Sequence, residues 1–223
     1  MINCLFLYCL SFCFCVTLFS APLCRAEGIV ESDPPREILS EFGKNKVIPQ
    51  EMQDVILTAL SFYPELKNTR INFIYKEEIR KSVMQAQPKI STIFRGKSHR
   101  VYNVKISRYL KLNKESLDIS TLPFEVLVGW IAHELGHIMD YKDRSGLAMI
   151  GFGTKYCLFE NFLKKAERRA DLFALKHGLG NMIMETKNYV LNHADIPVSY
   201  KDRIKRLYMS PEEFTEMLSE VAP

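Results

Sequence analysis

The run Trp130-Ile-Ala-His133-Glu134-Leu-Gly-His137-Ile-Met-Asp140 sets two histidines four residues apart, with a carboxylate beside the first. On a helix that spacing is about one turn, so both imidazoles share a face and can reach one cation. Zn²⁺ accepts such nitrogens readily, and one ion per chain would lower the pKa of a coordinated water toward neutrality. Glu134 is then placed to take the water's proton as general base rather than to ligate, while the hydroxide attacks a polarised carbonyl. Chance supplies roughly 0.01 such motifs in a chain of this length with so few histidines.

A catalytic zinc site needs a third protein ligand and an open position for water. Downstream, Ala166-Glu167-Arg-Arg-Ala170-Asp171 puts two carboxylates one helical turn apart on a helix whose small alanines allow close packing. Glu167 can complete the ligand set, and Asp171 can receive the outer N–H of a ligating histidine and so fix its tautomer. Two alternatives stand beside this reading. Both acids could pair with Arg168 or Arg169 on a solvated face. Asp143 could instead be the third ligand, although an H-E-x-x-H-x-x-G-x-x-H extension would want glycine and histidine where this chain has Asp140 and Asp143. Asp140 reads equally as a partner of the histidine face or as a solvated acid at a helix end.

The elements that must position these groups follow from periodicity. Apolar residues between Pro49 and Leu66 recur at helical spacing. Ile71 to Tyr75, Ile90 to Arg95 and Val101 to Ser107 read as strands, the last two as a hairpin around Gly96. From Pro123 the chain reads as helices: to about Tyr141, about Lys155 to His177 closed by Gly178, Asn181 to about Asn192, Tyr200 to Leu207, and Pro211 to Val221. The last is entered through a capping box at Ser210 and Glu213. A helix, then strands, then helices segregated in sequence make an α+β domain.

H-E-L-G-H followed on a later helix by E-x-x-A-D resembles the gluzincin zinc metallopeptidases, in particular those related to the membrane CAAX-processing and HtpX-type proteases, and in size the soluble minigluzincins. The resemblance spans about Ile71 to Leu207. It implies a zincin-like fold, with a small mixed or antiparallel sheet of about three strands packed on the active-site helix and a second helix carrying glutamate. It further implies His133, His137 and Glu167 as zinc ligands, Glu134 as the catalytic base and Asp171 as the acid behind a ligand. The activity would be endopeptidase hydrolysis of a peptide or protein substrate, with Val101–Ser107 bordering the cleft and pairing with an extended peptide. Arg203, in the pair Arg203-Ile204, matches a terminal segment that orders the cleft. Ile196 stands where that segment carries histidine, which leaves the oxyanion donor open among His193, His177, Tyr141, Tyr189 and Tyr200.

The 223 residues, with 30 basic against 26 acidic side chains, form a globular composition whose excess of +4 is too small to imply nucleic acid. Five of the 6 cysteines fall in the first 24 residues, within or just after an uncharged apolar run from Cys4 to Phe19. Residues 1–26 read as a secretory signal, 27–46 as a linker and 47–223 as the metallopeptidase domain, exported to a periplasm or secreted, with no stable span once the signal is removed. An uncleaved N-terminal anchor is the alternative. Cys157 reads as a small buried hydrophobe and Trp130 as core. The oligomeric state is left open. The competing function is a zinc-stabilised binding or inhibitory domain without turnover, with the last helix covering the cleft.

Overall fold

A computed structural model describes residues 36–79 and 82–221; the expected signal lies outside them. The elements run α1 (Arg36–Phe42), β1 (Lys46–Val47), α2 (Gln53–Ser61), β2 (Arg70–Lys76), β3 (Met84–Pro88), β4 (Val101–Ser107), β5 (Tyr109–Lys111), β6 (Ser116–Asp118), α3 (Phe124–Lys142), α4 (Gly146–Leu158), α5 (Glu160–Lys176), α6 (Gly180–Asn192), α7 (Val198–Leu207) and α8 (Pro211–Val221). The class is α+β. Within the expected linker, residues 36–42 are helical and Lys46 already pairs with Ile71 of the sheet.

The main sheet has four strands in the order β1-β2-β4-β3, with β3 antiparallel to β4 and the other pairs parallel; β5 and β6 form a separate two-stranded ribbon. Tyr102, Val104 and Ile106 alternate into the core as their spacing requires, while Asn103 and Lys105 lie half-buried on the other face. The expected hairpin between Ile90–Arg95 and β4 does not form. Ile90–Thr92 is a 3-10 turn, and Thr92 closes it by donating to the Lys89 carbonyl and accepting from the Val101 N–H. Its apolar residues, Ile90, Ile93 and Phe94, do not alternate, so no strand register could bury them together. The partner of β4 is Met84-Gln-Ala-Gln-Pro88, whose residue types have weak strand preference but whose Met84 and Ala86 meet Ile106 and Val104 in the core.

Helix α3 is the axis of the fold. Every residue from Val126 to Ile138 is buried, because β3, α2, α5 and α6 all pack on it. Two glycines set how closely. A Cβ on Gly129 would lie 2.1 Å from the Met182 carbonyl oxygen of α6, and one on Gly136 would lie 2.4 Å from the Ala170 carbonyl oxygen of α5. The Tyr63 hydroxyl donates to the Ala132 carbonyl at 2.8 Å and ties the segment after α2 to the same helix.

The single helix expected from about Lys155 to His177 is two helices, broken where Phe159 takes an extended conformation (φ −122°, ψ 109°). Three glycines hide α4 from a reading by propensity, yet Ser145 caps it by accepting from the Ala148 N–H at 3.2 Å. Gly178, at φ 79°, ends α5 in the left-handed conformation that glycine adopts without strain. The capping box of α8 is present in both directions: the Ser210 N–H donates to Glu213 at 2.9 Å and the Glu213 N–H to the Ser210 hydroxyl at 3.1 Å.

Candidate metal centre

His133, Glu134 and His137 are fixed by α3, and Glu167 and Asp171 by α5, which meets α3 at the Gly136–Ala170 contact. All five side chains are buried. His133 Nε2 lies 3.1 Å and His137 Nε2 3.4 Å from the same Glu167 oxygen, Oε2. One ligand atom from each of the three residues falls within 4.8 Å of the others, so the cluster can hold a metal ion. The two imidazoles stand edge to face, with centroids 4.7 Å apart, which suits two lone pairs converging on one point.

Around that point the partners are specific. His133 Nδ1–H donates to Asp171 Oδ1 at 2.9 Å, which turns Nε2 toward Glu167 and the cluster. The other oxygen of Asp171 accepts from Lys187 Nζ at 2.9 Å, and Lys187 is itself buried, with its ammonium over the rings of Tyr208 and Phe214. Tyr156 of α4 donates its hydroxyl to Glu167 Oε1. Glu134 Oε2 accepts from the Ala86 N–H at 2.5 Å. That bond follows from register. The Ser107 N–H bonds to the Val83 carbonyl and the Lys89 N–H to the Val101 carbonyl, so odd-numbered residues turn their backbone toward β4 and Met84, Ala86 and Pro88 turn theirs away, to the free edge.

Electrostatics favour a cation. Burial opposes ionisation of Glu167, yet His137 and His133 outweigh it and hold the carboxyl well below the usual range. Burial likewise opposes Asp171, and Lys187 and His133 pull it below its ordinary value. His133 loses to burial but gains more from the bonds to Asp171 and Glu167, and is carried up to about 10. Glu134 is pushed up, first by burial, the histidines working against it and Glu167 with it. Three buried carboxyl groups, Glu134, Glu167 and Asp171, stand against one buried lysine, Lys187, and a cation at the histidine nitrogens would take the place of the proton that His133 otherwise holds between the acids. The His137 Nδ1 is buried without a partner among the described residues, so no hydrogen bond there sets its tautomer.

A cavity of about 420 Å³ opens beside the cluster. Glu134, His137 and Glu167 line one end, the edge of β3 another, and Met149 and Phe152 of α4 a third. A pocket of about 40 Å³ reaches behind His133 toward Trp130, Thr186 and Tyr200. Arg203 and Tyr208 line the large cavity, and neither side chain makes a hydrogen bond to a described residue.

Other expected residues fall elsewhere. His193 caps the end of α6, accepts from the Asp195 N–H, and lines neither cavity. His177 stacks on Tyr63 and bonds Glu65 and the Phe173 carbonyl. Tyr189 meets the His193 ring, while Tyr141 lines the large cavity and Tyr200 the small one. Asp143 is an exposed residue at the end of α3, outside the cluster, and Asp140 is paired with Arg144 and Arg169. Strand β4 is bonded on both sides and cannot accept a further chain; the strand bordering the cavity is β3. Cys157 is exposed, not buried, and lines the large cavity beside Tyr156. No residue of α8 lines either cavity; its Phe214 is fully buried. Lys187, Tyr156, Tyr208 and the Ala86 N–H were absent from the sequence reading. Only Lys187 carried a signal, as a cation sixteen residues from Asp171 on the next helix.

Fold and donor set together define an α+β chain with a buried two-histidine, one-glutamate site able to hold a metal ion. The chain matches no protein-family model, and no curated protein or solved structure matches it.

Proposed function

We propose that the protein is a zinc-dependent endopeptidase of the gluzincin kind, with His133, His137 and Glu167 holding the ion. The observation that carries this reading is the convergence of both Nε2 atoms on one Glu167 oxygen, with a separate carboxylate, Glu134, beside them and facing a cavity of about 420 Å³. Two nitrogens and one oxygen suit zinc, and when bound it supplies Lewis acidity, lowering the pKa of water and polarising a carbonyl. A purely structural site has no use for a further, non-ligating acid at the cavity wall.

The chain's own groups divide the remaining work. Glu134 Oε2 is steadied by the Ala86 N–H, and its raised pKa suits a group that must accept a proton and later return it to a leaving amine. Asp171 orients His133 through Nδ1, and Lys187 keeps Asp171 ionised. The edge of β3 turns the Met84 and Ala86 backbone outward; Glu134 takes the Ala86 N–H, and an extended peptide could add alongside through the remaining main-chain groups. Arg203 and Tyr208 offer unshared donors to an oxyanion in the cavity, with Tyr208 kept protonated chiefly by burial.

The test joins metal content to turnover. Wild type should retain one zinc after dialysis against a mild chelator and Glu167→Ala much less, while Glu134→Gln keeps the metal and loses peptide hydrolysis. Full activity in Glu134→Gln would end the reading.

A further inference from the structure

Acidic residues are missing from two long stretches: none occurs between Glu78 and Glu115, and none between Asp143 and Glu160. The second stretch is α4, a helix with two apolar faces. Met149, Phe152 and Tyr156 turn inward, where all three line the large cavity. Leu147, Ile150, Thr154 and Leu158, at spacings of three, four and four, share the opposite face. There Leu147 is 76%, Ile150 49% and Leu158 70% exposed.

The first stretch meets the second at the helix start. The Phe94 ring lies so close to Gly146 that a Cβ there would be 2.8 Å from it, yet Phe94 remains 70% and neighbouring Ile90 80% exposed. Ile90 and Cys157 also line the large cavity. Scattered exposed apolar residues need no explanation, but several on one helix face, with Phe94 against the start of that helix, point to a docking surface. Its cations, Lys89, Arg95, Lys97 and Lys155, are all exposed and none is in an ion pair with a described residue. Of the two acids that bound α4, Glu160 is paired with Arg206.

We propose that this face, α4 together with residues 89–97, docks on an anionic lipid surface. An apolar face fringed by cations and free of acids is the pattern of interfacial binding, in which apolar side chains enter the acyl boundary and cations meet the phosphates. Three of the four cations are lysines, which protein interfaces avoid but which suit a lipid surface, where the stem lies on apolar groups and the ammonium reaches the headgroups. None of the described helices is long and apolar enough to cross a membrane, so this is a surface contact and not a span. The proposal is independent of peptide hydrolysis.

The test uses the full chain with Phe94→Trp, Trp130 being a buried and constant background. Vesicles of phosphatidylcholine with and without phosphatidylglycerol, the acyl chains brominated, report contact at the probe itself. Emission should shift blue and be quenched on the anionic vesicles only. In the same chain Lys89→Gln, Arg95→Gln and Lys97→Gln together should weaken partition by about 100-fold. A probe placed by Phe62→Trp, outside the face, should not respond. No shift at position 94, which is what attachment through residues 4–19 alone would give, overturns the proposal, as does a shift unchanged by the triple substitution. A lipid-free shift that grows with protein concentration would assign the face to a second copy and overturn it equally.

Discussion

Gly136→Ala is the smallest change that should disable the centre without touching a ligand. The added Cβ would lie 2.4 Å from the Ala170 carbonyl oxygen, where ordinary contact begins at 3.4 Å. Relief requires α3 and α5 to part by about 1 Å, because close-packed backbones have nowhere else to go. The obstructing atom is a main-chain oxygen, so no substitution at Ala170 removes it. Glu167 and Asp171 flank Ala170 and would retreat with it from His133, whose contacts at 3.1 and 2.9 Å have little room to stretch. Overpacking should cost about 1–3 kcal/mol, and misplacing a ligand together with the acid behind it should weaken metal binding by about 10- to 100-fold or more. Zinc competition against a chromophoric chelator reads the second effect and thermal unfolding the first. Gly151→Ala is the control: nothing lies within 4 Å of its Cβ, so it should stabilise α4 by about 0.5–1 kcal/mol and leave zinc binding alone. Wild-type zinc affinity in Gly136→Ala would refute the claim that this contact sets the ligand geometry.

Three further outcomes are expected. Lys187→Met strands the buried Asp171 carboxylate and should destabilise the chelator-treated protein by about 3–5 kcal/mol in urea, and adding Asp171→Asn should restore part of the loss; additive effects would mean the pair is not coupled. Glu213, bonded by Arg168 and the Ser210 N–H, has its carboxyl drawn from 4.5 down to about 2. A depressed carboxyl stabilises the fold above its unfolded value and loses that contribution as pH falls toward the folded one. The hold of α5 on α8 should therefore weaken between about pH 4.5 and 2, and amide exchange in α8 should show this in wild type but not in Glu213→Gln. Asp143→Asn should bind zinc as wild type does, since Asp143 is exposed and outside the cluster; a large loss would move the third ligand to α3.

How far each part of the site was legible depended on how local its cause is. His133, Glu134 and His137 lie within one helix, where the 3.6-residue period alone fixes which side chains share a face. Glu167 and Asp171 could be named as partners of each other for the same reason. Their approach to His133 turns on Gly136, whose lack of a side chain matters only once α5 lies against it. The strand beside the site was misplaced for a related reason. Ile90 to Arg95 has the stronger strand residues, but Met84–Pro88 alternates, and burying Met84 and Ala86 decided the pairing with β4.

By itself, the sequence determined the class of the domain, the faces of its helices, the capping box of α8 and the spacing of the two histidines, because each is set by residues a few positions apart. Only the tertiary structure decided that Lys187 would neutralise Asp171, that Tyr156 would hold Glu167, and that the free edge of β3 would present the Ala86 N–H to Glu134. Those contacts join groups between 11 and 48 residues apart, and packing against a shared helix brings them together. The same packing left the outer face of α4 uncovered, since one side of that helix was enough to close the core.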